Sequence, residues 1–445
     1  LVPSSFRKKG QSSRNKGARL TKEVPFMDKQ TVRRYIQFAL VVHAAGAIYP
    51  LVYLRTNYQQ TILEVFGLTI QQLNTIYSIL GLVFVFGYIP SGLLSDRFSA
   101  KNLLALSLAG TAVGGFIFAQ VPKFTGVVVV YIIWGIFSVL TFWSAHLKMV
   151  KLLTKKEEEG RFFGILDGGR GVVEALLGSL AVFIFARVLG SSDAIGDKRS
   201  ALISVIYMYS IALAVTAILI YFFVEEDKNK DVQRDESEKF RLSDLPVVLK
   251  NKYLYLHGAI VFFGYAVFWT VYYIGGFLQT NRGVDAVTVG TVTVIILWMR
   301  PLGGVVGGFL ADKIGKITTN ILALAGAALF LIILAVMPIS ITPTIFFAAS
   351  IILGFFLYAI RGTYWSVLGD DGFENLVMGT AIGVISFIGY LPDIILPQFN
   401  SFLFNTFGDQ GGYNAYFIAS AVMAVAGILC AAAYANQHKK NRAKQ

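Results

Sequence analysis

Asp167, Arg170 and Glu174 stand at i, i+3 and i+7 inside one long apolar run, and Arg300, Arg361 and Asp393 stand singly inside others. In a helix that spacing puts the first three on one face. Charges surrounded by so much apolar sequence are costly, and three kinds of chemistry repay them. An arginine fork holds a carboxylate or phosphate through two parallel hydrogen bonds. A carboxyl group carries a proton. Opposite charges neutralise each other. Counted from the run ends at about 1.5 Å per residue, Arg170, Arg300 and Arg361 fall roughly 12–16 Å deep, near the middle of an apolar layer about 30 Å thick. Three arginines at one level predict a positive ring for an anionic solute, with Arg300 its leading member. Asp393 falls at roughly 24 Å, is expected to lack the Arg361 partner, and with Glu174 and Asp167 is a candidate proton carrier. The structural alternative pairs Arg170 with Glu174 or Asp167.

Aromatic residues offer a wall for the same cavity. Tyr49 and Tyr53, with His43, come from the first run; Tyr265, Trp269, Tyr272 and Tyr273 come from the seventh. Trp143, Tyr364 and Trp365 add to them. Of these, Tyr49, Tyr53, Trp269, Tyr273 and Trp365 are expected to touch the solute, since aromatic rings with polar tips bind solutes as well as fill helix contacts. His257 is expected at the membrane interface, and His146 outside the site.

These residues need apolar helices to hold them, and the composition supplies them. Of 445 residues, 55% are hydrophobic and 15% charged, with 43 Gly and 11 Pro. A membrane-spanning helix needs roughly 20 mostly apolar residues. Twelve segments qualify, near 33–55, 72–94, 102–121, 126–148, 161–188, 200–224, 253–278, 287–311, 317–337, 343–368, 377–404 and 412–435. The fold class is an all-α membrane protein of two six-helix bundles, 33–224 and 253–435, joined by a polar linker, 225–252. Tails cover 1–32 and 436–445. Met27-Asp28 reads as a natural start, so 1–26 is expected to be a leader. If both tails lie inside the cell, inside segments hold 30 Lys and Arg against six outside, among them Arg55 and Arg282. Both termini and the linker are therefore expected to be cytoplasmic, in the plasma or inner membrane.

The two halves repeat. Gly92-Leu93-Leu94-Ser95-Asp96-Arg97 follows the second run and Gly308-Phe309-Leu310-Ala311-Asp312-Lys313 the eighth, 216 residues later. Thr141-Phe142-Trp143-Ser144 is echoed by Thr363-Tyr364-Trp365-Ser366. A glycine, three residues, then an aspartate and a basic residue between the second and third helices, doubled in the second half, resembles the signature loop of the major facilitator superfamily. Glu159-Gly160-Arg161 resembles that family's acidic–arginine loop, while Ser99-Ala100-Lys101 departs from the usual Gly-Arg-Lys. Arg300 followed twelve residues later by Asp312 is similar to the pattern in nitrate/nitrite and oxalate/formate carriers. The resemblance implies a cavity between the halves that opens alternately to each side. It also implies a conformational latch made by Gly92, Asp96, Arg97, Gly308, Asp312, Lys313 and Arg161.

The expected function is secondary active transport of a small organic anion, coupled to protons or a counter-anion. Proton-coupled efflux of amphipathic drugs is the alternative within transport, and a non-transporting membrane sensor the alternative outside it. No Gly-x-x-x-x-Gly-Lys-Ser/Thr loop is present, one cysteine (Cys430) permits no disulfide, and four histidines are scattered. The reading is therefore a non-enzyme without cofactor or metal, monomeric, with a small solute and the lipid bilayer as its partners and no nucleic acid.

Overall fold

The computed structural model describes residues 29–154, 159–225, 243, 245–338, 340–371, 373 and 378–442. Among these, sixteen α-helices follow in order. The first half holds α1 (Lys29–Val52), α2 (Arg55–Phe66), α3 (Ile70–Arg97), α4 (Ala100–Phe118), α5 (Phe124–Gly135), α6 (Trp143–Leu153), α7 (Glu159–Leu189) and α8 (Ile195–Phe223). The second holds α9 (Leu245–Val248), α10 (Lys252–Phe268), α11 (Val271–Arg282), α12 (Ala286–Ile314), α13 (Lys316–Val336), α14 (Pro343–Thr363), α15 (Met378–Gly389) and α16 (Pro392–Arg442). Eleven helical stretches among the described residues are long and apolar enough to cross a membrane. The last runs 60 residues, and Gly408 breaks it with φ +69° and ψ 178°. At about 1.5 Å per residue it is some three bilayer cores long, so it folds back and supplies spans 11 and 12. The count is the expected twelve, and all of them are helical because lipid leaves the backbone no other donor or acceptor.

The repeat is finer than two motifs. α1 stops at Val52 and α2 resumes at Arg55; α10 stops at Phe268 and α11 resumes at Val271, each 216 residues on. The left-handed caps that end α2 and α11, Gly67 (φ +62°) and Gly283 (φ +64°), keep the same offset. A side chain there would be strained, which is why both are glycine. Spans 1 and 7 therefore reach past the expected ends at 55 and 278.

Two of the expected outer-loop residues move as a consequence. Arg55 begins α2 and is 0% exposed. Arg282 ends α11, where it donates to the carbonyls of Leu334 and Met337 and lies 4.0 Å from the Phe346 ring centroid. The blocks 92–97 and 308–313 are likewise the last turns of α3 and α12 rather than loops, and the chain turns only at Phe98 and Gly315.

The halves touch along α7 against α12 and α3 against α16. Along the first pair the fit is close over most of its length and then gives out. A Cβ on Gly290 would meet Val182 at 3.1 Å, one on Gly178 would meet Val294 at 3.3 Å, and one on Gly171 would meet Arg300 at 3.1 Å. Past that level, Cβ atoms on Gly168, Gly304 and Gly308 would meet nothing within 4 Å. The halves are thus closed at the end where α2 and α11 lie and parted at the end where α8 finishes and α10 begins. At the closed end Gln71 donates to Asn405 (2.8 Å), Tyr273 to Asn74 (2.9 Å) and Ser78 to the Ile394 carbonyl (3.1 Å). Gln59 pairs there with Tyr413, and Gln60 with Thr280.

Candidate functional site

Local irregularities of the spans shape a cavity between the halves. Pro50 lies near the end of α1, and the chain breaks at 53–54. Between α5 and α6, residues Ile136–Leu140 form a turn of π-helix. Such bulges disturb the regular ladder and free a carbonyl. The Tyr49 hydroxyl takes up the Ser138 carbonyl at 3.1 Å, joining spans 1 and 4. Trp143, just past the bulge, then faces the cavity with Tyr49 and Tyr53. The space, counted with the open solvent at its mouth, amounts to about 1040 Å3, and eleven of its 22 lining residues are aromatic. Tyr53 stacks on Tyr272 across the halves, with centroids 4.8 Å apart and planes at 10°, and so roofs the cavity toward the closed end.

Arg170, Arg300 and Arg361 all line this cavity, together with Glu174 and Asp393. Their surroundings differ. Arg300 binds Glu174 through Nη1 and lies 3.6 Å from Asp167 through Nη2. Arg170 sits 3.9 Å from Glu174 on its own helix and 5.3 Å from the Tyr49 ring centroid. Span 8 is thus paired with the acids of span 5. Arg361 has neither ion pair nor hydrogen bond among the described residues, and its guanidinium lies 4.6 Å from the Phe268 ring centroid. Cation–π attraction holds it without consuming its donors.

Asp393 reaches the same cavity as Arg361 instead of standing apart from it. The backbone of α16 comes close enough to α3 for this because Gly81 has no side chain: a Cβ there would stand 2.5 Å from the Asp393 carbonyl oxygen. One carboxylate oxygen, Oδ1, accepts from the Tyr265 hydroxyl and from Trp269 Nε1, both at 2.8 Å. Oδ2 accepts from no described residue.

Other expected members stand behind the wall. Trp269 is spent on Asp393, Tyr273 on Asn74, and Trp365 donates to the Tyr390 hydroxyl at 3.1 Å. None of these three lines the cavity. His43 and Tyr364 do not line it either, and His146 stays outside, buried against Phe142 and Trp143. Of the latch residues, the side chains of Asp96 and Arg161 fall outside the description. Arg97, Gly308, Asp312 and Lys313 are exposed, and Gly92 is buried. Asp312 has no partner among the described residues. His257 is 0% exposed and bonded on both ring nitrogens, so it is packed within the protein rather than facing lipid or water.

The sequence reading missed Tyr88, Phe268, Tyr358 and Tyr390, which line the cavity. Tyr77, Phe84 and Tyr88 recur at i, i+7 and i+11, a one-face helical spacing that would have marked span 2 as a contributor. Arg55 was also missed. Its guanidinium donates to Asn74 (3.2 Å) and Gln59 (2.7 Å) and lies 4.8 Å from the Tyr77 ring and 4.3 Å from that of Tyr273. It sits in the closed end rather than the cavity.

The sequence profile of the Major Facilitator Superfamily matches residues 38–397. The inner membrane protein YqcE of Escherichia coli is 26% identical over 376 residues, which is 83% of this chain and 87% of that one. The hexuronate transporter of Bacillus subtilis is 22% identical over 371 residues, covering 78% and 82%. Among solved structures, a bacterial homologue of the human lysosomal transporter Spinster, in an inward-facing and unoccupied conformation, superposes with a TM-score of 0.73 at 13% identity, covering 93% of this chain and 98% of that one.

Proposed function

Because this chain belongs to the major facilitator superfamily, we propose that it carries a small organic anion across the membrane by alternating access, with the cavity between the halves as its binding site. The observation that supports the anion is Arg361: a guanidinium in the cavity wall that is ion-paired with no carboxylate among the described residues. Three arginines line the cavity against two carboxylates, so the walls carry a net +1 when all five are charged. Arg300 and Arg170 share Glu174, and Arg361 is left to meet the solute.

The aromatic half of the lining favours a solute with a flat or ring-shaped carbon frame, whose C–H face packs on rings while its carboxylate meets the guanidinium. The distant relative named for hexuronate, a sugar carboxylate, fits that class. Asp393 is the coupling group in this reading. It lines the same cavity with one oxygen that no described residue occupies, so a proton taken there changes the charge that the solute meets. The parted end, where α1 and α10 begin and α8 finishes, is the cytoplasmic one, as the loop charges predict. The latch blocks of α3 and α12 lie at that end, and they meet when it closes.

The test is a thermal-shift screen of the purified protein against uronates, other ring carboxylates, sugar phosphates, inorganic anions and cationic drugs. A ligand that binds only the folded state raises its apparent stability. Stabilisation by a ring carboxylate supports the proposal. Stabilisation by lipophilic cations alone favours drug efflux instead.

A further inference from the structure

The cavity wall holds acceptors that a carboxylate alone cannot satisfy. Asp393 is 3% exposed and lines the cavity. Its Oδ1 accepts from the Tyr265 hydroxyl and from Trp269 Nε1, both at 2.8 Å, while its Oδ2 has no donor among the described residues. A second acceptor comes from α12. Pro301 has no N–H, so the carbonyl of Leu297, one turn earlier and also a lining residue, loses the donor that the helix would give it.

Asp393 and Arg361 flank one side chain. The Arg361 guanidinium lies 6.0 Å from the Tyr265 ring centroid, and the hydroxyl of that same ring holds Asp393. About one tyrosine side chain separates the two groups, which is the reach of a six-membered ring that carries a carboxylate.

When the cavity closes on a solute and water leaves, a buried acceptor without a donor is costly. The chemistry of Oδ2 then selects the group it meets. A carboxylate only accepts, so it suits Arg361 and repels an ionised Asp393. An ammonium only donates, so it suits the ionised form and faces the proton of the protonated one, since Oδ1 is already occupied by two donors and leaves Oδ2 to carry it. A hydroxyl does both. It donates to the carboxylate and accepts from the carboxyl group, so one contact survives in either protonation state of the residue assigned to coupling.

We propose that Asp393 Oδ2 recognises a hydroxyl group, and that the solute is a hydroxylated ring carboxylate with its carboxylate on Arg361 and a ring hydroxyl on Asp393. This rests on the anion reading and narrows it: aromatic and aliphatic carboxylates without hydroxyls leave Oδ2 unpaired.

Isothermal titration of the purified protein tests this with matched ligands. Glucuronate is paired with tetrahydropyran carboxylate, the same ring without hydroxyls, and quinate with cyclohexanecarboxylate; aminocyclohexanecarboxylate supplies the ammonium. Wild type should bind the hydroxylated member of a pair about tenfold or more tightly, as a hydrogen bond to a charged group allows. Asp393→Ala should close that gap without weakening the bare carboxylate, Asp393→Asn should keep it because an amide also meets a hydroxyl, and Arg361→Ala should weaken both members alike. Melting temperatures check that each variant is folded, and the wild-type comparison stands without them. Equal wild-type binding within both pairs, a gap that survives Asp393→Ala in folded protein, or tightest binding of the amino acid would each overturn the proposal and leave the anion reading in place. Failure of every carboxylate to bind wild type defeats the anion reading and this one with it.

Discussion

The Arg361 guanidinium lies over the Phe268 ring, 4.6 Å from its centroid, and is ion-paired with no carboxylate among the described residues. An aromatic face steadies the charge and leaves all five N–H donors for something else. Arg361→Lys keeps the charge but loses the fork, and should weaken binding of a carboxylate solute roughly tenfold, while Arg361→Ala should cost on the order of a hundredfold. Neither should lower the melting temperature of the ligand-free protein, since no buried acid is stranded. Isothermal titration beside thermal denaturation of each variant checks both statements.

Arg300 behaves in the opposite way. Its removal leaves Glu174 buried beside Arg170 alone, and Arg300→Ala should destabilise the protein by about 3–5 kcal/mol, as breaking buried ion pairs does. Adding Glu174→Gln should recover much of that loss. Denaturation of the two single variants and the double variant measures the coupling. Full stability of Arg300→Ala would show that the pair contributes nothing.

Asp393→Asn mimics a permanently protonated carboxyl group. Exchange of labelled solute across proteoliposomes should persist in this variant, whereas uphill accumulation driven by a proton gradient should vanish. Loss of both activities would place Asp393 in solute binding, and retention of both would remove it from coupling.

Arg55 gives the closed end a test of its own. Tyr273→Ala removes the second-half ring from that cation, at roughly 2 kcal/mol for a desolvated contact, which shifts the balance toward opening by on the order of tenfold. In a background with Cys430→Ser, a Gln71→Cys, Asn405→Cys pair should be bridged readily by a short bifunctional reagent, and less so once Tyr273→Ala is added. Added from outside the cell, an impermeant reagent should label Lys123→Cys and spare Lys250→Cys. The reverse pattern inverts the orientation.

The spans and the doubling of the halves were legible because both depend on local composition: lipid demands about 20 apolar residues, and a repeated unit repeats its turns. The three arginines were legible for the same reason. Their partners were not. Arg300 and Glu174 are 126 positions apart, and only the crossing of α7 and α12 decides that they meet. Trp269 and Tyr273 look the same in sequence as Tyr49 and Tyr53. Whether a ring faces the cavity or stands behind it turns on the break after Phe268, where no proline or glycine marks the chain. His257, too, was placed by its nearness to a run end, while its burial depends on Asp371 and Tyr434 arriving from far along the chain.

The polar contacts of the closed end carry one more consequence. Among the described residues, every hydrogen bond that joins the halves there is made by an uncharged amide, hydroxyl or carbonyl group, and Arg55 is sealed from water. Mobile ions screen exposed charges and have little to act on here. If the halves alternate as proposed, salinity on that side of the membrane therefore has little hold over how often this face opens.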